Sequence, residues 1–144
     1  MSWPVLRTTP GGAALLRNRD WLAAVGVVLC GLPLSSWGVI LLGGWEVPPE
    51  PSPFALRILF WIAISPVLSW AALCFALPVT VFALSAGWGG WAVGSGIGGL
   101  AAGVSALWLG LNDPAIPVCG AVLGGAFWLA LRLMRPAAVR PRAG

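Results

Sequence analysis

From Trp21 to Trp45 the chain runs 25 residues without a charged side chain. About 20 mostly apolar helical residues are enough to cross the roughly 30 Å hydrocarbon core of a bilayer. Three more runs of this kind follow, and together the four take up most of the sequence. Charged residues make up 8% of the chain and hydrophobic ones 59%, against about 25% charged in an average soluble domain. A fold of 144 residues has a large surface relative to its core, and so few charges could not keep that surface in water. The sequence therefore predicts an all-α integral membrane protein: four transmembrane helices in one small bundle, with no room for a second domain.

The spans are expected at 21–45, 54–85, 88–111 and 115–134, after an arm over 1–20. An outer loop over 46–53 holds Glu46, Glu50 and four prolines, which cannot continue a helix interior. Ser52 and Pro53 fit an N-cap and a first helical position, as do Asp113 and Pro114 in the second outer loop, 112–114. The second span is longer than one crossing needs, and Pro66 and Pro78 inside it predict kinks. The joint between spans two and three, residues 86–87, carries no charge and is read as a tight turn at Gly87. If that turn were absent, three spans would result. The tail over 135–144 is basic and proline-rich, and by itself would be disordered. In the arm, Thr9 and Pro10 fit the start of a small helix leading into Arg17.

Orientation follows from the arginines, which carry all the positive charge. Arg7, Arg17 and Arg19 precede the first span, and Arg132, Arg135, Arg140 and Arg142 close or follow the last. An even number of spans places both clusters on one side, and the positive-inside rule makes it the cytoplasm. Both termini are then cytoplasmic, and the expected location is a bacterial cytoplasmic (inner) membrane. Arg57 is left on the outer side, where Glu46 or Glu50 could pair with it. Trp21, Trp88 and Trp91 fall at the inner interface and Trp45 and Trp108 at the outer one, as interfacial tryptophans should. Because the arginines flank apolar spans, they point to anionic lipid and orientation and give no reason to expect nucleic acid.

The sharpest local pattern is a set of glycines four apart. Gly90, Gly94 and Gly98 form one row in span three, Gly99 and Gly103 another, and Gly120 and Gly124 lie in span four. Small residues at this spacing let two helix backbones approach closely. Ordinary bundle packing in a glycine-rich composition gives the same letters. Gly94-x-Gly96-x-x-Gly99 imitates a nucleotide-binding loop, but it lies inside an apolar span with no strand before it, which rejects that reading.

Prolines and hydroxyls also cluster. Ser35 and Ser36 follow Pro33, and Ser65 precedes Pro66 with Ser69 one turn on. A proline leaves a carbonyl unpaired, and a neighbouring hydroxyl can satisfy it. The functional counterpart is a polar lining, at these residues and Pro78, for a solute path. Trp37 and Trp70 fall deeper than the interfaces, where they could meet each other, a lipid or a pigment tail. The three cysteines lie in apolar runs and read as small hydrophobes.

No span carries an acid or a histidine, so a proton relay, an axial haem ligand and serine catalysis each lack a necessary group. No cofactor or metal is expected, and the chain is read as not an enzyme. The favoured function is a non-catalytic accessory, structural or assembly subunit of a larger membrane complex, with other membrane subunits and lipids as partners. One alternative is a small oligomeric transporter or channel. A second is a membrane binding protein for a toxin, lipid or signalling partner.

Overall fold

The computed structural model describes residues 4–43 and 53–140 and is all-helical. Helix α1 (Asn18–Gly26) continues through a π-helical turn (Val27–Gly31) into α2 (Leu32–Gly43). Then come α3 (Pro53–Ser85), α4 (Trp91–Trp108) and α5 (Ala115–Met134). Short 3₁₀ turns lie at Gly12–Leu15 and Pro136–Val139.

Three stretches are long and apolar enough to cross a membrane: Asn18–Leu42, Trp91–Trp108 and Ala115–Met134. The fourth candidate, α3, is sharply bent. Its halves, Phe54–Val67 and Ser69–Ser85, meet at 83° and count as one crossing only if the bent pair is a single broken span. The bend falls directly after Pro66, whose missing N–H and bulky ring break the ladder there. α3 runs on through Pro78 as helix, so the sharp break lies at the first of the two predicted kinks. The π turn before Pro33 marks a further irregularity.

Two apolar clusters hold the bundle together. Toward the end of the bundle where α3 turns into α4, Leu84, Trp128, Leu131 and Val139 are buried against Ala24, with Trp21 and Phe127 alongside. Farther along the bundle Val28, Ile62, Cys119 and Leu123 pack together. The outward faces carry large exposed apolar side chains on every helix, among them Leu42, Phe82, Leu107 and Leu133. Soluble monomers rarely expose contiguous apolar patches beyond a few hundred Å², and this surface is compatible with a multi-pass membrane protein.

The arm from Pro4 and the tail as far as Arg140 pack as parts of the bundle. Gly87 takes a left-handed backbone, φ +79°, and turns α3 back toward α4. The arm lies against that turn: Thr8 N–H donates to Gly87 C=O at 2.8 Å, and Gly11 N–H to Ser85 C=O at 3.1 Å. Gly90, Trp91 and Ala92 donate their N–H groups to the carbonyls of Leu6, Pro4 and Val5 at 3.0–3.1 Å. A helix start leaves four such groups unpaired, so the arm caps three of them for α4. Thr9 N–H in turn donates to Arg140 C=O at 3.0 Å, and Ala138 and Val139 are fully buried. This corrects the disordered tail as far as Arg140, because its apolar residues fill the inner core. The small helix of the arm begins after Gly11, not at Thr9–Pro10, since Thr8 and Thr9 are engaged by the turn and the tail.

Candidate functional site

The helix pair α4–α5 sits on the glycines. A Cβ placed on Gly98 would strike the Gly120 carbonyl and come within 2.9 Å of Gly124 Cα. On Gly120 it would meet the Ala102 side chain and the Gly98 carbonyl, and on Gly124 the Gly94 carbonyl. On Gly94 it would lie 3.0 Å from Trp128 Cβ. These four glycines form a seam within the chain, where each faces the partner helix of the same bundle. Gly99 lies at its margin, against the Pro117 carbonyl at 3.2 Å. Two predicted members stand elsewhere. Gly90 faces the arm, where a Cβ would strike the Val5 carbonyl, and Gly103 has only ordinary contacts with Pro117. Gly125 belongs to the close packing although the spacing did not pick it out, with the Ser95 hydroxyl 2.9 Å from its Cβ position.

Between this pair and α3 lies a cavity of about 130 Å³. Its lining runs from Gly89 and Gly90 to Leu109, so it follows α4 for its whole length, about 27 Å at 1.5 Å per residue. The walls are apolar apart from a few hydroxyls. Ser65, Ser69 and Thr80 come from α3 and Ser105 from α4. The Thr80 hydroxyl donates to the Ala76 carbonyl at 2.7 Å. The hydroxyls of Ser65 and Ser105 are buried and have no hydrogen-bond partner.

The proline-associated residues therefore divide. Ser35 donates to the Leu32 carbonyl at 2.8 Å, not to the Leu29 carbonyl four residues before Pro33, while Ser36 is buried. Ser65 does not mend the break at Pro66, because its hydroxyl lies on the cavity wall. Trp37 donates its indole N–H to the Ala63 carbonyl at 3.1 Å, in the turn that Pro66 disrupts. Its partner is thus α3 backbone and not Trp70, which is 62% exposed. Cys119 is buried as a small hydrophobe, whereas Cys30 and Cys74 are exposed on the outer faces of their helices and free.

The N-terminal end of α3 carries a polar cluster. Arg57 pairs with Asp113 at 2.5 Å, and Trp61 donates to the same carboxylate at 2.9 Å. Asp113 also accepts the Ala115 N–H at 2.8 Å, capping α5 from one position before Pro114. The Arg57 and Trp61 hydrogen bonds, joined by Ala115, hold its carboxyl at a pKa of about 2. Asp113 is a partner of Arg57 that the sequence reading did not name, because α3 and α5 bring the two ends together. Glu46, Glu50, Ser52 and Trp45 lie outside the described residues.

The opposite end of the bundle, where α1 starts and α5 ends, has a matching tie that the sequence did not reveal. Asp20 is buried; its carboxylate accepts the Arg17 N–H at 3.0 Å and Arg135 Nε at 3.0 Å. The start of α1 is thereby joined to the end of α5. Trp128 donates to the Gly89 carbonyl at 2.6 Å, and Arg7 stacks on Trp88 at 5.1 Å. Among the described residues no three His, Cys, Asp or Glu side chains gather as a metal site.

No protein family, characterised protein or solved structure matches this chain. The class that the coordinates define is a small helical bundle with three or four helices apolar enough to span a membrane.

Proposed function

We propose that the chain is a four-span protein of a bacterial cytoplasmic membrane, with both ends inside, that serves as a non-catalytic accessory or assembly subunit. The observation that supports this reading most is how the charges are used. Asp20–Arg135 and Asp113–Arg57 tie the two ends of the bundle, while the interior cavity has an apolar lining with no ionisable group except the Cys119 thiol. A bundle of this kind acts through contact, and its outward apolar faces are wide enough to meet both lipid and neighbouring helices. The internal glycine seam shifts the expected partner surface to those outer faces. A transporter would need a polar path, and the apolar cavity lends that reading little support.

Gentle solubilisation followed by native electrophoresis tests the proposal. The chain is expected to run in a band far above its own 14.9 kDa, with other membrane proteins identified in the same band. Migration alone, or only as copies of itself, overturns the subunit reading. Reporter fusions at both termini test orientation, and a periplasmic signal from either end refutes it.

A further inference from the structure

The cavity along α4 contains two hydroxyls that the protein leaves unpaired. Ser65 is 4% exposed and Ser105 is 6% exposed, and neither hydroxyl oxygen makes a hydrogen bond. Serine in a helix ordinarily turns back to a carbonyl one turn earlier, as Thr80 and Ser85 do here. These two do not, and both stand on the wall of one cavity. In a bilayer interior there is no bulk water to satisfy them. A lone water is a poor occupant, since it needs two to four polar partners and this lining is almost wholly apolar.

The shape indicates what would suit the space. The lining follows α4 from end to end, with Trp88 and Leu109, 46% and 43% exposed, at its two ends. A long, narrow, apolar channel admits a chain. Unpaired O–H donors on its wall call for an oxygen acceptor carried by that chain. Ser105 stands one turn before the end of α4, and Ser65 two turns along α3 from Arg57.

We propose that this cavity is a binding site for a lipid-like molecule: an apolar chain bearing a carbonyl oxygen that accepts hydrogen bonds from Ser65 and Ser105. An ester phospholipid and an isoprenoid quinone share that chemistry. The site depends on insertion in the membrane but not on the subunit role, and it stands whether or not the chain joins a complex.

The full-length protein, purified in detergent, is titrated with three probes and occupancy is read by native mass spectrometry. The probes are a diacyl ester phospholipid, its dialkyl ether analogue without carbonyls, and a short-chain isoprenoid quinone. The expected result is saturable binding of the ester lipid or of the quinone, and the one that binds identifies the source of the carbonyl. The ether analogue binds about tenfold more weakly than its ester, as does the carbonyl ligand to the Ser65→Ala/Ser105→Ala double variant. This variant keeps the backbone and barely alters the cavity volume. Ser85→Ala, at an exposed hydroxyl away from the cavity, leaves binding unchanged. A second variant, Ala76→Phe, fills the cavity from α3 and is expected to abolish occupancy, with native helicity checked by circular dichroism. The proposal is overturned if no probe saturates, if the ester lipid binds and its ether analogue binds equally well, or if the double serine variant binds the carbonyl ligand as the wild type does.

Discussion

Substituting Gly98 by alanine sets two opposing terms against each other. A helical Gly→Ala change favours the helix by up to about 1 kcal/mol. Against this, the new Cβ would strike the Gly120 carbonyl and lie 2.9 Å from Gly124 Cα and 3.0 Å from its N. All three obstacles are backbone atoms, which cannot rotate aside, so α4 and α5 must separate along the seam. Overpacking of this kind costs about 1–3 kcal/mol, and the upper end applies where no side chain can yield. The net expectation for Gly98→Ala is a loss of about 2 kcal/mol, roughly 30-fold in the unfolding equilibrium. Gly96 supplies the control within the same helix, since nothing lies within 4 Å of its Cβ position. Gly96→Ala should be neutral or stabilising by up to about 1 kcal/mol. Both are measured by reversible unfolding in mixed micelles, followed by far-ultraviolet circular dichroism. If Gly98→Ala unfolds with the same midpoint as Gly96→Ala, the four-residue glycine spacing reflects composition and not packing.

Two further outcomes follow from the polar ties. Asp113 titrates at about 2 in the folded protein, below its ordinary 3.8. Its contribution to stability is therefore complete above about pH 4 and disappears as pH falls toward 2. The melting-temperature gap between wild type and Asp113→Asn should accordingly close over that interval, and a gap independent of pH would contradict the Arg57 and Trp61 bonds. At the end where α1 starts and α5 ends, Arg135→Ala should speed hydrogen exchange at Asn18–Trp21 and around Ala138. Asp20→Ala should do so more strongly, because Asp20 also accepts the Arg17 N–H. Equal effects of the two would mean that the carboxylate does not bridge both partners.

The helical class and the presence of three or four helices apolar enough to span a membrane were legible because both depend on runs of one residue type, which lipid-length arithmetic reads directly. Helix α5 spans the residues expected of it, since Asp113-Pro114 gives an unambiguous start and the apolar run after it is unbroken. What was not legible depended on which distant groups meet. The partner of Arg57 lies 56 residues away, and nearest-neighbour reasoning favoured the glutamates of the adjoining loop. Proline predicted irregularity at residue 66 but could not say that the turn there would reach 83°. The unpaired serines were equally hidden: Ser65 beside a proline reads as repair of the backbone until the position of its hydroxyl is known.

The docked arm is the instructive failure, because a signal for it was present. Helix α4 begins after Trp88-Gly89-Gly90, and none of these side chains can accept from the exposed N–H groups at a helix start. Serine, threonine, aspartate or asparagine normally fills that role. A cap-free start can be left to water at a soluble surface, but at the edge of an apolar bundle the same N–H groups need acceptors from elsewhere in the chain. The acceptors come from the N-terminal arm: the carbonyls of Pro4, Val5 and Leu6, with the Thr8 hydroxyl accepting the Gly89 N–H at 3.1 Å. The glycines that deny α4 a side-chain cap are also what admit the arm, since a Cβ on Gly90 would collide with Val5 and one on Gly89 would lie 2.7 Å from the Thr8 hydroxyl. The missing cap and the close approach are thus one feature of the sequence, and the arm is the part of the chain that resolves both.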